Sequence, residues 1–472
     1  MKQTLLTLAF SGVLAIGASV ATRTDSLPQT PAPQATPTAT PRPTPAPPDP
    51  IREIVAHLEL EKYKATLKGL AQFGDRQQGT KRNRDAVDWI EAQLKSYGCT
   101  NTERIIYTYA PAARGGGGGR GADASAGAGS GQTGRAGGQA AAGAGQTGAA
   151  GAGEAAAGAG RGQGRGGAPA APPTPGSPEW VRRGQAGGST YYGYRGRTGV
   201  NNNLEAQPNE KLRLLNAEPS TPGERQEVFC TKIGSTRPQE MYIIGAHMDG
   251  LGKGEAVNDD GSGTALVMEI ARILHMPGVT SDVSIRFALW NNEESGLNGA
   301  RAYVEQREKL QGIESPAGSG KYPEPKWLGM IQHDMMMWDH GMPRADGTLN
   351  PEQRPEADVN IEFQSNSKMA DQSMKLAFVF KAAADDYTTH YPATVGPHMT
   401  NTDSTPFMDL IPAISLRENE RGMQTGAGWN PHWHQPTDLS PTFSDKDFRL
   451  GLNAVQTTLG AIGQLAGASI GK

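Results

Sequence analysis

Met241-Tyr-Ile-Ile-Gly-Ala-His-Met-Asp249, running on to Asn258-Asp-Asp-Gly-Ser-Gly263, decides how this chain is read. Met241 to Ala246 has the short apolar pattern of a buried strand, and Ser262 to His275 follows with Leu266, Ile270 and Leu274 on one helical stripe. Between them lies a turn rich in His, Asp and Asn. The same grammar recurs downstream. Val283 to Trp290 predicts a strand and about Leu297 to Leu310 a helix; Trp327 to Gln332 predicts a strand and about Gln372 to Asp386 a helix. Ala413 to Arg417 closes the series of strands and Asp445 to Leu465 the series of helices. Strands alternating with helices in this way predict an α/β three-layer sandwich with a mostly parallel mixed central sheet.

In open sheets of that kind, ligands bind beyond the carboxyl ends of the strands. His247, Glu293, Glu294 and Asp334 each directly follow a predicted strand, so they are expected to gather on one edge. Imidazole and carboxylate donors in that setting suit metal ions. Two dications about 3.5 Å apart repel by roughly 19 kcal/mol at an effective dielectric of about 20, so a pair of ions needs a shared anionic ligand. Asp259 is the bridging candidate, because Gly261 and Gly263 permit a tight turn and the following helix N-terminus favours negative charge. Taken alone, Asn258, Asp259 and Asp260 read equally as caps for that helix. Asp249 is a candidate to orient the His247 imidazole. Glu293 and Glu294 diverge if their strand continues, one free to ligate and the other to face water. His333 competes with Asp334 as a donor, and His432 with His434. The remaining histidines, His57, His275, His340, His390 and His398, read as ordinary surface or core residues.

The rest of the 472 residues divides by composition. Met1 to Ala21 has a positive start, an apolar run from Leu5 to Val20 and a small-residue end, which predicts a cleaved signal peptide and no stable membrane insertion afterwards. Residues 22–50 are a Pro-rich linker. Residues 111–188, rich in Gly and Ala with scattered Arg, hold too little apolar surface to offset ordering entropy and are expected to be a disordered insertion. Its Arg-Gly pairs also suit single-stranded nucleic acid, but an exported chain of net charge −3 argues against nucleic acid as a partner. The folded part is then 51–110 with 189–472, and within it 51–98 predicts two helices. With two cysteines, thiolate clusters are excluded; Cys99 and Cys230 either pair or stay as separate buried thiols.

In their order, Gly-Ala-His-Met-Asp, Asn-Asp-Asp-Gly-Ser-Gly, Glu-Glu-Ser-Gly-Leu-Asn-Gly-Ala and His-Gln-Pro-Thr-Asp resemble the co-catalytic zinc aminopeptidase family over about residues 225–465, and more loosely over 51–110. Relatives there include secreted bacterial leucyl aminopeptidases, glutamate carboxypeptidase II and the transferrin receptor ectodomain. The resemblance implies a zinc-exopeptidase-like fold and two Zn2+ ions, one on His247 and Asp334, the other on Glu294 and His434, with Asp259 bridging. It prefers His434 to His432 because Asp438 follows at the family spacing, repeating the His247–Asp249 pattern of a ligand followed by a carboxylate to orient it. It makes Glu293 the general base and acid, and implies a cis peptide at Asp259-Asp260. The substrates would be peptide or protein N-termini, cleaved outside the cytoplasm, secreted or in a periplasm. Trp433 stands where a tyrosine is common, His333 where an asparagine is, and Thr402-Asp403-Ser-Thr-Pro-Phe407 matches a pocket motif only in part. Other readings on this fold are a single-zinc glutaminyl cyclase and a carboxypeptidase, whose extra dimerisation domain has little room between Asp334 and His434. A receptor-like binding module without metal is the alternative of a different class.

Overall fold

A computed structural model describes residues 49–110, 200–341, 350–397, 402–418 and 430–471. The signal peptide, most of the linker, the 111–188 insertion and His398 lie outside them.

Eight strands form one sheet: β1 (Glu103–Tyr109), β2 (Gly223–Lys232), β3 (Arg237–His247), β5 (Val283–Trp290), β6 (Lys326–His333), β7 (Val359–Phe363), β8 (Ala393–Gly396) and β9 (Ala413–Arg417), while β4 (Val279–Thr280) pairs apart with β10 (Ser469–Ile470). Their order is β1-β2-β5-β3-β6-β9-β7-β8. The centre, β5-β3-β6-β9, is parallel throughout; β1/β2, β2/β5 and β7/β9 are antiparallel. The fold class read from the strand–helix rhythm therefore holds.

The central strands are rich in apolar residues on both faces because both faces are covered. Successive side chains alternate across the sheet. Ile244, Ala246, Ile285, Phe287 and Leu289 point into the larger core, shared with helices α1 (Pro50–Val55), α2 (Leu60–Ala71), α3 (Lys81–Ser96), α5 (Gly261–Leu274), α7 (Ala370–Tyr387) and α8 (Asp445–Leu465). Met241, Ile243, Ala288 and Trp290 point the other way, into a smaller core closed by α6 (Asn298–Arg307) and the single turn Thr405–Phe407. A short helix, α4 (Glu210–Leu215), precedes β2. Among the described residues no helix is long and apolar enough to cross a membrane.

Two expectations change and one open alternative is settled. The two helices read in 51–98 are three, because the chain turns at Ala56–Glu59 and places Ile54 and Leu60 on separate helices. The linker ends earlier than residue 50: Pro50 occupies the first turn of α1, where its missing N–H costs nothing, and the Asp49 carboxylate caps it by accepting from Ile51 N–H at 2.9 Å. Cys99 and Cys230 are joined in a disulfide, with Cα atoms 6.2 Å apart.

The parallel centre positions the site. His247 ends β3 opposite Trp290, the end of β5, and His333 ends β6 opposite Leu416 near the end of β9. Four strand ends thus open on one edge. β1 runs in the same direction as β5, so Tyr109 reaches that edge too.

Candidate metal centre

His247 Nε2 lies 3.4 Å from Asp259 Oδ1, 4.0 Å from Asp334 Oδ1 and 3.9 Å from Glu293 Oε2. On the other side, His434 Nε2 lies 3.1 Å from Asp259 Oδ2 and 2.8 Å from Glu294 Oε2. The six residues expected to meet do so, and Asp259 presents one oxygen to each histidine. Two ligand atoms roughly 2.0–2.1 Å from a tetrahedral zinc stand about 3.3 Å apart, close to several of these separations. Asp259 Oδ2 and Glu294 Oε1 are buried with no hydrogen-bond donor aimed at them, which a cation satisfies. The donor set fits zinc.

The local backbone explains the convergence. Asp260, not Asp259, caps α5: its Oδ1 accepts from Gly263 N–H at 2.9 Å. The same oxygen accepts from Met335 N–H at 3.1 Å, and Oδ2 from His247 N–H at 3.1 Å, so the capping carboxylate also ties together the ends of β3 and β6. Asp259 is thereby left for the ions. The bond between the two residues is cis. Asn292, Met335 and His434 have positive φ angles of 64°, 62° and 57°, each beside or at a ligand position. Such conformations are sparsely populated for residues with a side chain and cluster at functional sites. They redirect the chain just past the strand ends, so Glu293 and Glu294 part company through a turn and not through strand alternation.

Both predicted supporting carboxylates belong to the site, but with different partners from those expected. His247 Nδ1 is held by the backbone carbonyl of Asp249 at 2.9 Å; the Asp249 carboxylate, 3.8 Å away, instead accepts from Glu293 N–H at 3.1 Å. Asp438 does not orient His434. Its two oxygens accept the backbone N–H groups of Asn258 at 2.9 Å and Asp259 at 3.1 Å. His333 is no ligand, since its ring nitrogens face Gly245 O at 3.1 Å and Thr458 Oγ1 at 2.8 Å. His432 faces Thr437 Oγ1 at 2.8 Å. Trp433 stacks on His434 with ring centroids 4.1 Å apart. The carbonyl of His434 accepts from Asn201 N–H at 3.0 Å.

Sequence reasoning passed over Glu418. Its Oε2 accepts from Asn258 Nδ2 at 2.7 Å and from the backbone of Met337 at 3.0 Å and Trp338 at 2.6 Å, and Oε1 from Asn430 Nδ2 at 3.2 Å. It binds the loops that carry Asp259, Asp334 and His434. An acid directly after a buried strand was the signal that selected Asp334, and it applied to Glu418 as well. Arg417, whose Nη2 donates to Asp334 Oδ2 at 2.9 Å, was also missed.

Electrostatically the cluster favours cations. Burial pushes Glu293 well above the usual carboxylate range and Glu294 up to about 7. Burial alone would lower His434, yet Glu294 and Asp259 beside it push it up to about 10. Burial would raise Asp259, but the two histidines hold it low.

Residues 228–450 match the family model described as Peptidase family M28. Over 113 residues the chain is 36% identical to a probable lipoprotein aminopeptidase, LpqL, of Mycobacterium tuberculosis, covering 23% of this chain and 22% of that protein. Over 68 residues it is 40% identical to an aminopeptidase of Pseudomonas aeruginosa, covering 14% and 12%. The aligned stretches thus span less than a quarter of those relatives' own lengths. A crystal structure of the LapA aminopeptidase of Legionella pneumophila aligns over 88% of this chain and 74% of that one, at 14% identity and a TM-score of 0.48. The span matched by that family model, residues 228–450, includes every residue of the candidate metal centre.

Proposed function

We propose that the protein is an exported zinc aminopeptidase that holds two ions and hydrolyses the N-terminal bond of peptides. The observation that carries this is Asp259, which turns one oxygen to His247 and the other to His434. His247 and Asp334 would hold one zinc, Glu294 and His434 the other. Bound zinc supplies Lewis acidity, acidifying water and polarising a carbonyl oxygen.

The chain's own groups supply the rest. Glu293 faces the His247 side, with Oε2 3.9 Å from Nε2, and its side chain is 11% exposed, so water reaches it. Burial raises its proton affinity, which suits a group that takes a proton from water and hands it to the leaving amine. Asp249 fixes the Glu293 backbone. With both ions bound the carboxylate charge is offset, so preference for a free N-terminus would come from the substrate's α-amino group binding beside a metal and an acidic group, which a blocked N-terminus cannot do. Export is supported by the signal-like N-terminus and by the Cys99–Cys230 disulfide, which persists in oxidising compartments.

Glu293→Gln tests the assignment. Metal content should stay at two zincs while turnover on an aminoacyl substrate falls about 10²–10⁴-fold. Retained turnover removes Glu293 from its role, and equal cleavage of N-blocked peptides removes the aminopeptidase reading.

A further inference from the structure

Arg417 ends β9 with only 1% of its surface exposed. Because β6 and β9 are parallel with His333 opposite Leu416, the residues that follow, Asp334 and Arg417, leave the sheet side by side. Nη2 holds Oδ2 of Asp334 at 2.9 Å, and the other oxygen of that carboxylate faces His247. Glu362 Oε2 stands 3.6 Å from Nε, within ion-pair range but beyond a hydrogen bond. Nε and Nη1 are buried without an acceptor. Leaving charged N–H groups unbonded in the interior is costly, and in a native site it calls for a reason.

The other half of the centre has no counterpart. Among the described residues, no lysine or arginine lies within 4.0 Å of the Asp259 or Glu294 carboxylates, whose ion-pair partners are His247 and His434. Among the described residues the two halves therefore differ by one fixed positive charge.

We propose that Arg417 makes the His247–Asp334 half the weaker of the two zinc sites. The guanidinium draws electron density from Asp334 and repels a dication placed across the carboxylate, so one ion is held tightly and the other exchanges. Arg417 acts through Asp334 and is a positioning residue. The inference rests on the two-ion reading above.

Chelator competition on the purified protein, with zinc counted by mass spectrometry, measures both dissociation constants. The wild type should show two, separated by at least ten-fold. In Arg417→Met the weaker constant should tighten at least ten-fold and the stronger move less than three-fold; Arg417→Lys should keep the wild-type separation. Glu362→Gln, which leaves the guanidinium less compensated, should loosen the weaker ion and so shift it the opposite way. If Arg417→Met leaves the weaker constant unchanged or loosens it, the guanidinium merely holds Asp334 in place and the proposal fails. Should Arg417→Met not fold, an unchanged weaker constant in a folded Glu362→Gln overturns it equally. A wild type that binds a single zinc at saturation defeats the two-ion reading itself, whatever the variants do.

Discussion

Asp438 accepts the backbone N–H of Asp259 at 3.1 Å, so the carboxylate expected to steer a histidine holds the bridging aspartate instead. Asp438→Asn replaces one acceptor with a donor that faces an N–H. Zinc affinity should fall about 10–100-fold, as when outer partners of ligands are lost. Chelator titration of a variant with unchanged circular dichroism checks this; wild-type affinity would show that the loop holds itself.

Gly252 has φ of +91°, and a Cβ there would come within 2.2 Å of the carbonyl carbon of His434. Gly252→Ala must move one loop off the other. Zinc content and activity are expected to drop together by at least about ten-fold, because a displaced ligand costs more than its own contacts. Normal zinc binding in this variant would mean that the His434 turn has freedom to shift.

Glu324 is buried and accepts from Tyr303 at 2.7 Å and also from Arg286 and Trp327. Glu324→Ala strands the Arg286 guanidinium beneath the Phe229 ring, 4.2 Å from its centroid. Removing one partner of a buried ion pair costs about 3–5 kcal/mol. Urea unfolding should register that loss; a change below about 1 kcal/mol would show that Arg286 finds other partners.

Glu91 gives a pH signature well away from the metal. Burial would raise its pKa, but Lys95, Arg104 and Thr102 outweigh that and bring it down to about 2. A depressed carboxylate stabilises the fold above its unfolded pKa of 4.5 and loses that contribution as pH falls towards 2. Wild type should therefore exceed Glu91→Gln in unfolding midpoint at neutral pH, with the gap closing below about pH 4. A gap that persists to low pH would point to packing.

How far the chain could be read without coordinates depended on burial. β5, β9 and α8 have the predicted bounds, because their apolar residues recur at strand or helix spacing. β7 was missed since Asn360 and Glu362 sit inside it and imitate a loop, although both are buried in the sheet. β8 is four residues long and offers no pattern to find. At the site, motif spacing picked out residues that converge but not which atom meets which. Asp249 and Asp438 were assigned to imidazoles, whereas their oxygens take backbone amides, and amides leave no mark in a sequence. Glu418 was overlooked because it lies outside the resembling motifs.

Asn201 and Tyr109 deserve to be considered as a pair of anchorages. β1 ends on the same rim as the candidate metal centre, and near the start of the next described stretch, which opens at Val200, Asn201 is fastened to the carbonyl of His434. The tie made by Asn201 thus bears on the peptide of His434 itself. A change that pulls on Asn201 would therefore be felt at the candidate site. A change between Ile313 and Lys326, in a loop at the opposite ends of the central strands, leaves that site untouched.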